Sequence, residues 1–164
     1  DRFPMGVAFE LQMAKFAELC NDTSEARALA TRALTSARVL LDKPMLIAVE
    51  PQADKDMQPG RYAAEACMVL RQWSEAKNYY NQLATTTRQP VFAYLADDVE
   101  VSRLEKSGDL KGALAAAQAL QSKYPMNADQ GMQQAAAELQ RRITELQQKM
   151  GINQASVLPF SISE

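Results

Sequence analysis

The stretch that decides the fold reads Ser107-Gly-Asp-Leu-Lys-Gly-Ala-Leu-Ala-Ala-Ala-Gln-Ala-Leu-Gln-Ser-Lys-Tyr-Pro125. Its first residues favour the end of one helix and the start of the next, because Gly108 suits a left-handed helix end and Asp109 offers a capping carboxylate. Ala113 then places a short side chain early in the second helix, and Pro125 closes that helix. The stretch therefore predicts a helical hairpin with a close crossing.

Two similar turns occur upstream. Thr23-Ser-Glu-Ala26 and Trp73-Ser-Glu-Ala76 share Ser-Glu-Ala and stand at the same place relative to an apolar run. Recurrence of one unit is the sequence signature of a stacked helical array. The chain therefore predicts three hairpins followed by one further helix. Their bounds are about 4–41, 59–87 and 91–124, and the last helix covers 127–150.

Apolar residues recur at helical spacing in the first hairpin. In its first helix these residues are Phe9, Met13, Phe16, Ala17 and Leu19. In its second helix an inner face is predicted from Ala26, Leu29, Ala30, Ala33, Leu34, Ala37 and Leu41. Residues 42–58 interrupt this pattern, because Pro44 and Pro51 cannot continue a regular helix. The apolar core of that segment, 45–49, is expected to dock as a short turn or extended piece, or to act as a flap that binds a partner.

The last helix differs in kind from the others. Asn127 with Gln130 three positions later predicts a capping box, and Gly151 predicts the end of the helix. A narrow apolar seam follows from Met132, Ala136, Leu139, Ile143, Leu146 and Met150. At its far end, Ile143, Leu146 and Met150 are predicted to overhang the neighbouring helix and to need a cover. The cover is the tail at 151–164, a second copy or a partner, so these three residues are a possible assembly surface. Glu138 and Arg142 are predicted on a solvated face.

Composition restricts the classes of function. The 164 residues are 47% hydrophobic and 23% charged, which suits one soluble globular domain over 1–150. A net charge of −2 gives no basic field for a nucleic acid backbone, so no nucleic acid partner is expected. No apolar run approaches the roughly 20 residues that span a bilayer, so this segment is not expected to insert into a membrane. Starting at Asp1, the chain is expected to be a trimmed or mature fragment.

The two cysteines, Cys20 and Cys67, lie in apolar helical patterns and are expected to be free thiols that behave as small hydrophobes, with a bridge between them as the alternative. They leave the compartment open, whether cytoplasmic, periplasmic or otherwise extracytoplasmic. The chain has no histidine, which removes the commonest general base and zinc ligand. Ser74 and Lys77 have the spacing of a serine and lysine pair of penicillin-recognising enzymes, but a helix cap explains them. No catalytic residue, metal or cofactor is therefore predicted.

These turn residues resemble those of the tetratricopeptide repeat family. The third hairpin fits best, with Leu104, Gly108-Asp109, Ala113 and Pro125 at the family's positions. The second keeps Cys67, Ala76 and Tyr80, and the first keeps little beyond Ala26, Ala30 and Ala33. The resemblance covers about residues 5–125 and describes degenerate repeats. It implies an all-α, right-handed α-solenoid of about three hairpins with a C-terminal capping helix.

The resemblance also implies a binding surface. In the family, peptides commonly lie in a concave groove lined by the first helix of each hairpin. The matching positions here are Gln12, Lys15, Glu18, Arg61, Tyr62, Glu65, Met68, Asp98, Ser102 and Glu105. The family's clamp for a terminal carboxylate is not expected, because Glu65 and Asp98 would repel that group.

The sequence therefore predicts a non-catalytic scaffold that binds a protein or peptide in this groove. One alternative is an assembly module that associates through the last helix, as a homodimer or with a partner. The other is an accessory domain of a larger enzyme or membrane-anchored protein.

Overall fold

The computed structural model describes residues 4–43, 58–124 and 129–151. Within these ranges the chain forms helices and turns and no strand, so the fold is all-α, as predicted. The helices are α1 (Pro4–Leu19), α2 (Thr23–Asp42), α3 (Pro59–Val69), α4 (Trp73–Thr87), α5 (Pro90–Ser107), α6 (Leu110–Lys123) and α7 (Gln130–Lys149). Most of segment 42–58 and the tail after Gly151 lie outside the described residues.

The chain divides into two compact units, Asp1–Val99 and Glu100–Glu164. The division falls within α5, which is a continuous helix. In the first unit α1 packs on α2, α2 on α3 and α3 on α4, and α1 also contacts α3. In the second unit α6 packs on α7.

The turns that join α1 to α2, α3 to α4 and α5 to α6 have the same backbone geometry. In each, a residue with positive φ is followed by the N-cap of the next helix. These pairs are Asn21–Asp22 (φ 61°), Arg71–Gln72 (φ 61°) and Gly108–Asp109 (φ 83°). Each N-cap amide donates to the carbonyl five residues back, at 2.9, 2.8 and 3.0 Å respectively. This pattern is the Schellman ending of a helix, so the three turns share one backbone geometry.

The positive φ angles lead to opposite predictions for Arg71 and Gly108. Arg71→Gly should raise the free energy of unfolding by about 0.5–1 kcal/mol, because the left-handed conformation strains a side chain more than glycine's flexibility costs. Gly108→Ala should lower it by about 1 kcal/mol for the same reason. No atom lies within 4 Å of the added methyl group, so the loss comes from the backbone alone. Urea midpoints of the two variants measure both changes. Shifts of the same sign would contradict the claim that Arg71 and Gly108 both occupy a left-handed conformation that favours glycine.

The inner face of α1 is not the predicted one. Val7, Leu11, Ala14 and Ala17 are buried against the rest of the first unit. Of the residues predicted from helical spacing only Ala17 is buried, whereas Phe9, Met13, Phe16 and Leu19 are exposed. The helix carries two apolar stripes, and the one with smaller side chains meets the neighbouring helices. On α2, Leu40 is buried and the predicted Leu41 is exposed.

The core of the first unit joins side chains of α1 to α4 with the first part of α5. Ala76 and Tyr80 of α4 are buried in it, and the half-buried Trp73 packs against it. Both cysteines are free. Cys67 is buried as expected, and its burial raises the pKa of the thiol to about 11. Cys20 is free as predicted, but it is exposed and does not pack as a hydrophobic residue.

The second unit buries one face each of α6 and α7. Its buried residues include Ala113, Leu114, Ala117 and Leu120 on α6 and Met132, Leu139, Ile143 and Leu146 on α7. The cap of α7 is Asp129, whose carboxylate accepts from the amide of Met132 at 2.8 Å. The predicted cap Asn127 lies outside the described residues, and α7 begins later than predicted. Gly151 has φ 69° just after α7, as expected of a helix end.

The predicted assembly surface is not exposed. Ile143 and Leu146 are 5% and 0% exposed in a single chain, and Met150 is half-buried. Arg142, predicted on a solvated face, instead donates to Glu105 Oε2 at 2.7 Å and to Ser102 Oγ at 2.9 Å. Its guanidinium therefore ties α7 to the end of α5. Ile143 and Leu146 therefore have the cover that the sequence predicts within a single chain, and neither a second copy nor a partner is needed to bury them.

Candidate functional site

Three of the predicted groove residues meet between α1 and α3. Lys15 Nζ lies 2.5 Å from Glu65 Oε2, and Arg61 Nε lies 2.8 Å from Glu65 Oε1. The Glu65 side chain is only 16% exposed, whereas that of Arg61 is 58% exposed. Glu65 is thus held by two cations of its own chain, and Arg61 keeps a large part of its surface open to solvent.

The two cations set the ionisation of Glu65. Burial by itself would raise the pKa of the carboxyl group, but the charge and hydrogen bond of Lys15, together with those of Arg61, outweigh burial and lower the pKa. The lowered pKa means that the ionised carboxylate stabilises the folded first unit. Glu65 is therefore a structural anion that joins α1 to α3.

The lowered pKa of Glu65 predicts that Glu65→Gln reduces the free energy of unfolding by an amount that depends on pH. At pH 7 the variant should lose about 1–3 kcal/mol of unfolding free energy, because two cations lose their carboxylate. In the unfolded chain a glutamate has a pKa of about 4.3, and in the folded chain the pKa of Glu65 is lower. The ionised carboxylate therefore stabilises the fold at pH values above about 4.3, and this stabilisation is lost as the pH falls through the folded pKa. The difference between Glu65→Gln and the native chain should therefore shrink as the pH falls below about 5, as measured by urea unfolding.

Glu75→Gln is the matched control, because Glu75 pairs with Arg38 at 2.6 Å in the same unit but is 48% exposed. Its loss should stay below about 1 kcal/mol at each pH. Equal losses in the two variants, or a Glu65→Gln loss that does not change with pH, would contradict the role of Glu65.

The other predicted groove residues in the first unit differ in surroundings. Tyr62 and Met68 are half-buried and pack against the core, and Gln12 is exposed. Asp98 is half-buried and acts electrostatically on the Tyr80 hydroxyl. The pKa of Tyr80 is raised, first by burial and then by the charges of Glu65 and Asp98. Glu18 lines a cavity near the end of α1.

Two predicted groove residues belong to the second unit. Ser102 and Glu105 both accept hydrogen bonds from Arg142. Sequence reasoning missed Arg142, because a cation one turn from Glu138 is the usual sign of a surface pair. The pair on α7 is instead formed by Arg141, which contacts Glu138 and Glu145.

The most distinctive exposed surface lies on α1. Phe9, Met13, Phe16 and Leu19 are 65%, 39%, 61% and 82% exposed. Their spacing of four, three and three residues places them on one side of the helix, with the exposed Gln12 among them. These five residues are called the apolar face of α1. None of them carries a charge.

Two charged residues of α1 form ion pairs with neighbouring helices. Glu10 forms an ion pair with Arg32 of α2 at 3.4 Å, and Lys15 forms its ion pair with Glu65 of α3. The helix therefore places its ionic contacts against its own unit and its large apolar side chains in solvent. Large exposed apolar patches commonly mark sites of protein association.

Two observations concern the chemistry of the described residues, and a third concerns their hydropathy. They contain no group of three or more His, Cys, Asp or Glu side chains able to hold a metal ion. The raised pKa of Cys67 keeps that buried thiol protonated at neutral pH. Among the described helices, none is long and apolar enough to cross a membrane.

Comparisons of the chain with protein-family models, with curated proteins and with solved structures found no match. What the protein does is therefore inferred from its own residues.

Proposed function

We propose that this chain is a non-catalytic interaction module that binds a polypeptide partner. The observation that carries the proposal is the apolar face of α1, on which Phe9 and Phe16 expose more than half of their surface. Burying an exposed phenylalanine or leucine side chain stabilises an interface by about 1.5–3 kcal/mol. Aromatic side chains are also enriched among the residues that dominate binding energies.

The absence of charge on this face defines the partner. An acidic or basic peptide would gain no ion pair there and would lose the hydration of its own charges. A polypeptide that presents an apolar helix face would bury both surfaces without such a loss. The partner of this proposal therefore carries an uncharged apolar stripe.

For the architecture, we propose degenerate tetratricopeptide-like repeats arranged as a solenoid. The shared turn geometry supports this proposal, as does the alanine that follows each N-cap by four residues. These alanines, Ala26, Ala76 and Ala113, are all buried. In this proposal a polypeptide on the apolar face of α1 contacts Gln12, and one that extends onto α3 meets the exposed Arg61. Lys15 and Glu65 already form an ion pair with each other.

Site-specific photo-crosslinking in the organism that produces the protein tests the proposed partner surface. A benzophenone amino acid at position 16 should capture one defined polypeptide, and the same probe at the exposed Gln118 of α6 should not. Adding Phe9→Asp and Met13→Asp should abolish the capture and leave the helix content unchanged, because exposed positions tolerate substitution.

Capture of a second copy of this chain would mean that the chain is its own partner. Light scattering would then confirm that it forms a homodimer. The same products at positions 16 and 118, or capture that survives both aspartates, would refute the apolar face as the binding surface.

A further inference from the structure

A cavity of about 360 Å³ lies where the end of α1, the first turns of α2 and the end of α3 meet. Part of its lining is apolar: Ala26 and Val69 are buried, and Leu70 is half-buried. These residues belong to one packed cluster of the first unit, so the apolar lining is a fixed surface. The volume falls within the range of about 300–1,000 Å³ that is usual for small-molecule sites.

Two arginines line the same cavity. Arg27 comes from α2 and Arg71 from the turn between α3 and α4. In the described part of the chain neither guanidinium forms an ion pair, whereas Arg32, Arg38 and Arg61 each contact a carboxylate. Glu18 and the threonine at position 23 complete the polar lining. Two cations and one anion therefore line the cavity.

The backbone at Arg71 gives a second reason to regard its side chain as functional. Arg71 has φ 61° at the position that Asn21 and Gly108 occupy in the other two turns. Glycine and asparagine adopt left-handed angles with little strain, whereas arginine does not. The turn between α3 and α4 therefore holds a residue that is strained at this φ angle, and the side chain of that residue, Arg71, lines the cavity.

We propose that this cavity binds a small organic anion whose carboxylate or phosphate group is attached to a short apolar group. The guanidinium groups of Arg27 and Arg71 supply paired donors that match the oxygens of either anion. The apolar group would lie on Ala26, Val69 and Leu70. This site is separate from the apolar face of α1 and does not depend on the proposed function.

Titration of the full chain, followed by amide chemical shifts, tests the ligand class. Hexanoate and hexyl phosphate are the two probes, and the tighter of them identifies the anionic group. Hexanol lacks the charge and inorganic phosphate lacks the apolar group, so each should bind at least about tenfold more weakly than the better probe. Binding of hexanol or of inorganic phosphate as tight as that of the better probe would overturn the proposal, as would no binding of either probe.

Arg71→Gly tests the site without threatening the fold, because glycine suits the turn. It should weaken binding of the better probe by about tenfold, the loss expected for one charge-assisted hydrogen bond. Arg88→Gly is the matched control: Arg88 also has positive φ, 58°, and is exposed, but it lies at the end of α4 and outside the cavity lining. Unchanged binding in Arg71→Gly, or equal weakening in Arg88→Gly, would place the anion elsewhere and overturn the assignment.

Discussion

Leu146→Glu is expected to unfold the second unit. Leu146 is 0% exposed on α7, so the glutamate would bring a carboxylate into an apolar interior. An unpaired buried charge costs several kcal/mol, and the loss should exceed about 4 kcal/mol. Far-ultraviolet circular dichroism should lose part of its helical signal, and hydrogen exchange should accelerate in α6 and α7.

Gln148→Glu is the control for this experiment, because it adds the same charge to the same helix at an exposed position. It should change the unfolding free energy by less than about 0.5 kcal/mol. If Leu146→Glu instead kept its helix content and dissociated a dimer, Leu146 would lie at an interface between chains and the seam of α7 would be an assembly surface after all.

Ala113→Leu is expected to destabilise the second unit by about 1–3 kcal/mol, because the added methylenes must enter a packed interior. Ala113 is 0% exposed on α6. Ala76→Leu should have an effect of similar size in the first unit, where Ala76 is also 0% exposed and contributes to the core. Urea midpoints measure both losses.

Each of these alanines has a matched control. Ala115 on α6 and Ala28 on α2 are exposed, so leucine at either position should leave the urea midpoint nearly unchanged. Midpoints that fall equally in Ala113→Leu and Ala115→Leu would mean that helix propensity, and not packing at a crossing, sets the loss.

The helix bounds could be predicted because their signals are local. Backbone geometry acts at Pro59, which begins α3, and at Gly151, which has positive φ after α7. At Asp109 the signal is a hydrogen bond that its carboxylate accepts from the amide of Gly112, three residues away. The sequence predicts the start of α7 too early for a related reason. Asn127 and Asp129 both offer capping oxygens, and only the course of the chain decides which one is used.

Which face of a helix is buried could not be predicted as well. Periodicity finds an apolar stripe, but α1 has two, and tertiary packing selects the one with Leu11 and Ala14. The same limit applies to the site. Matching Lys15 and Glu65 to a groove did not reveal that they bind each other, because residues so far apart in the chain meet only in the folded unit.

Trp73 is the only tryptophan of the chain, and it packs against the core of the first unit. Its fluorescence therefore reports on residues 1–99, whereas circular dichroism sums the helices of both units. Denaturant curves recorded with the two signals would coincide if the whole chain unfolded in one cooperative transition. A dichroism phase without a change in emission would instead isolate the unfolding of residues 100–164. One indole ring thus allows the cooperativity of the two units to be measured without any added label.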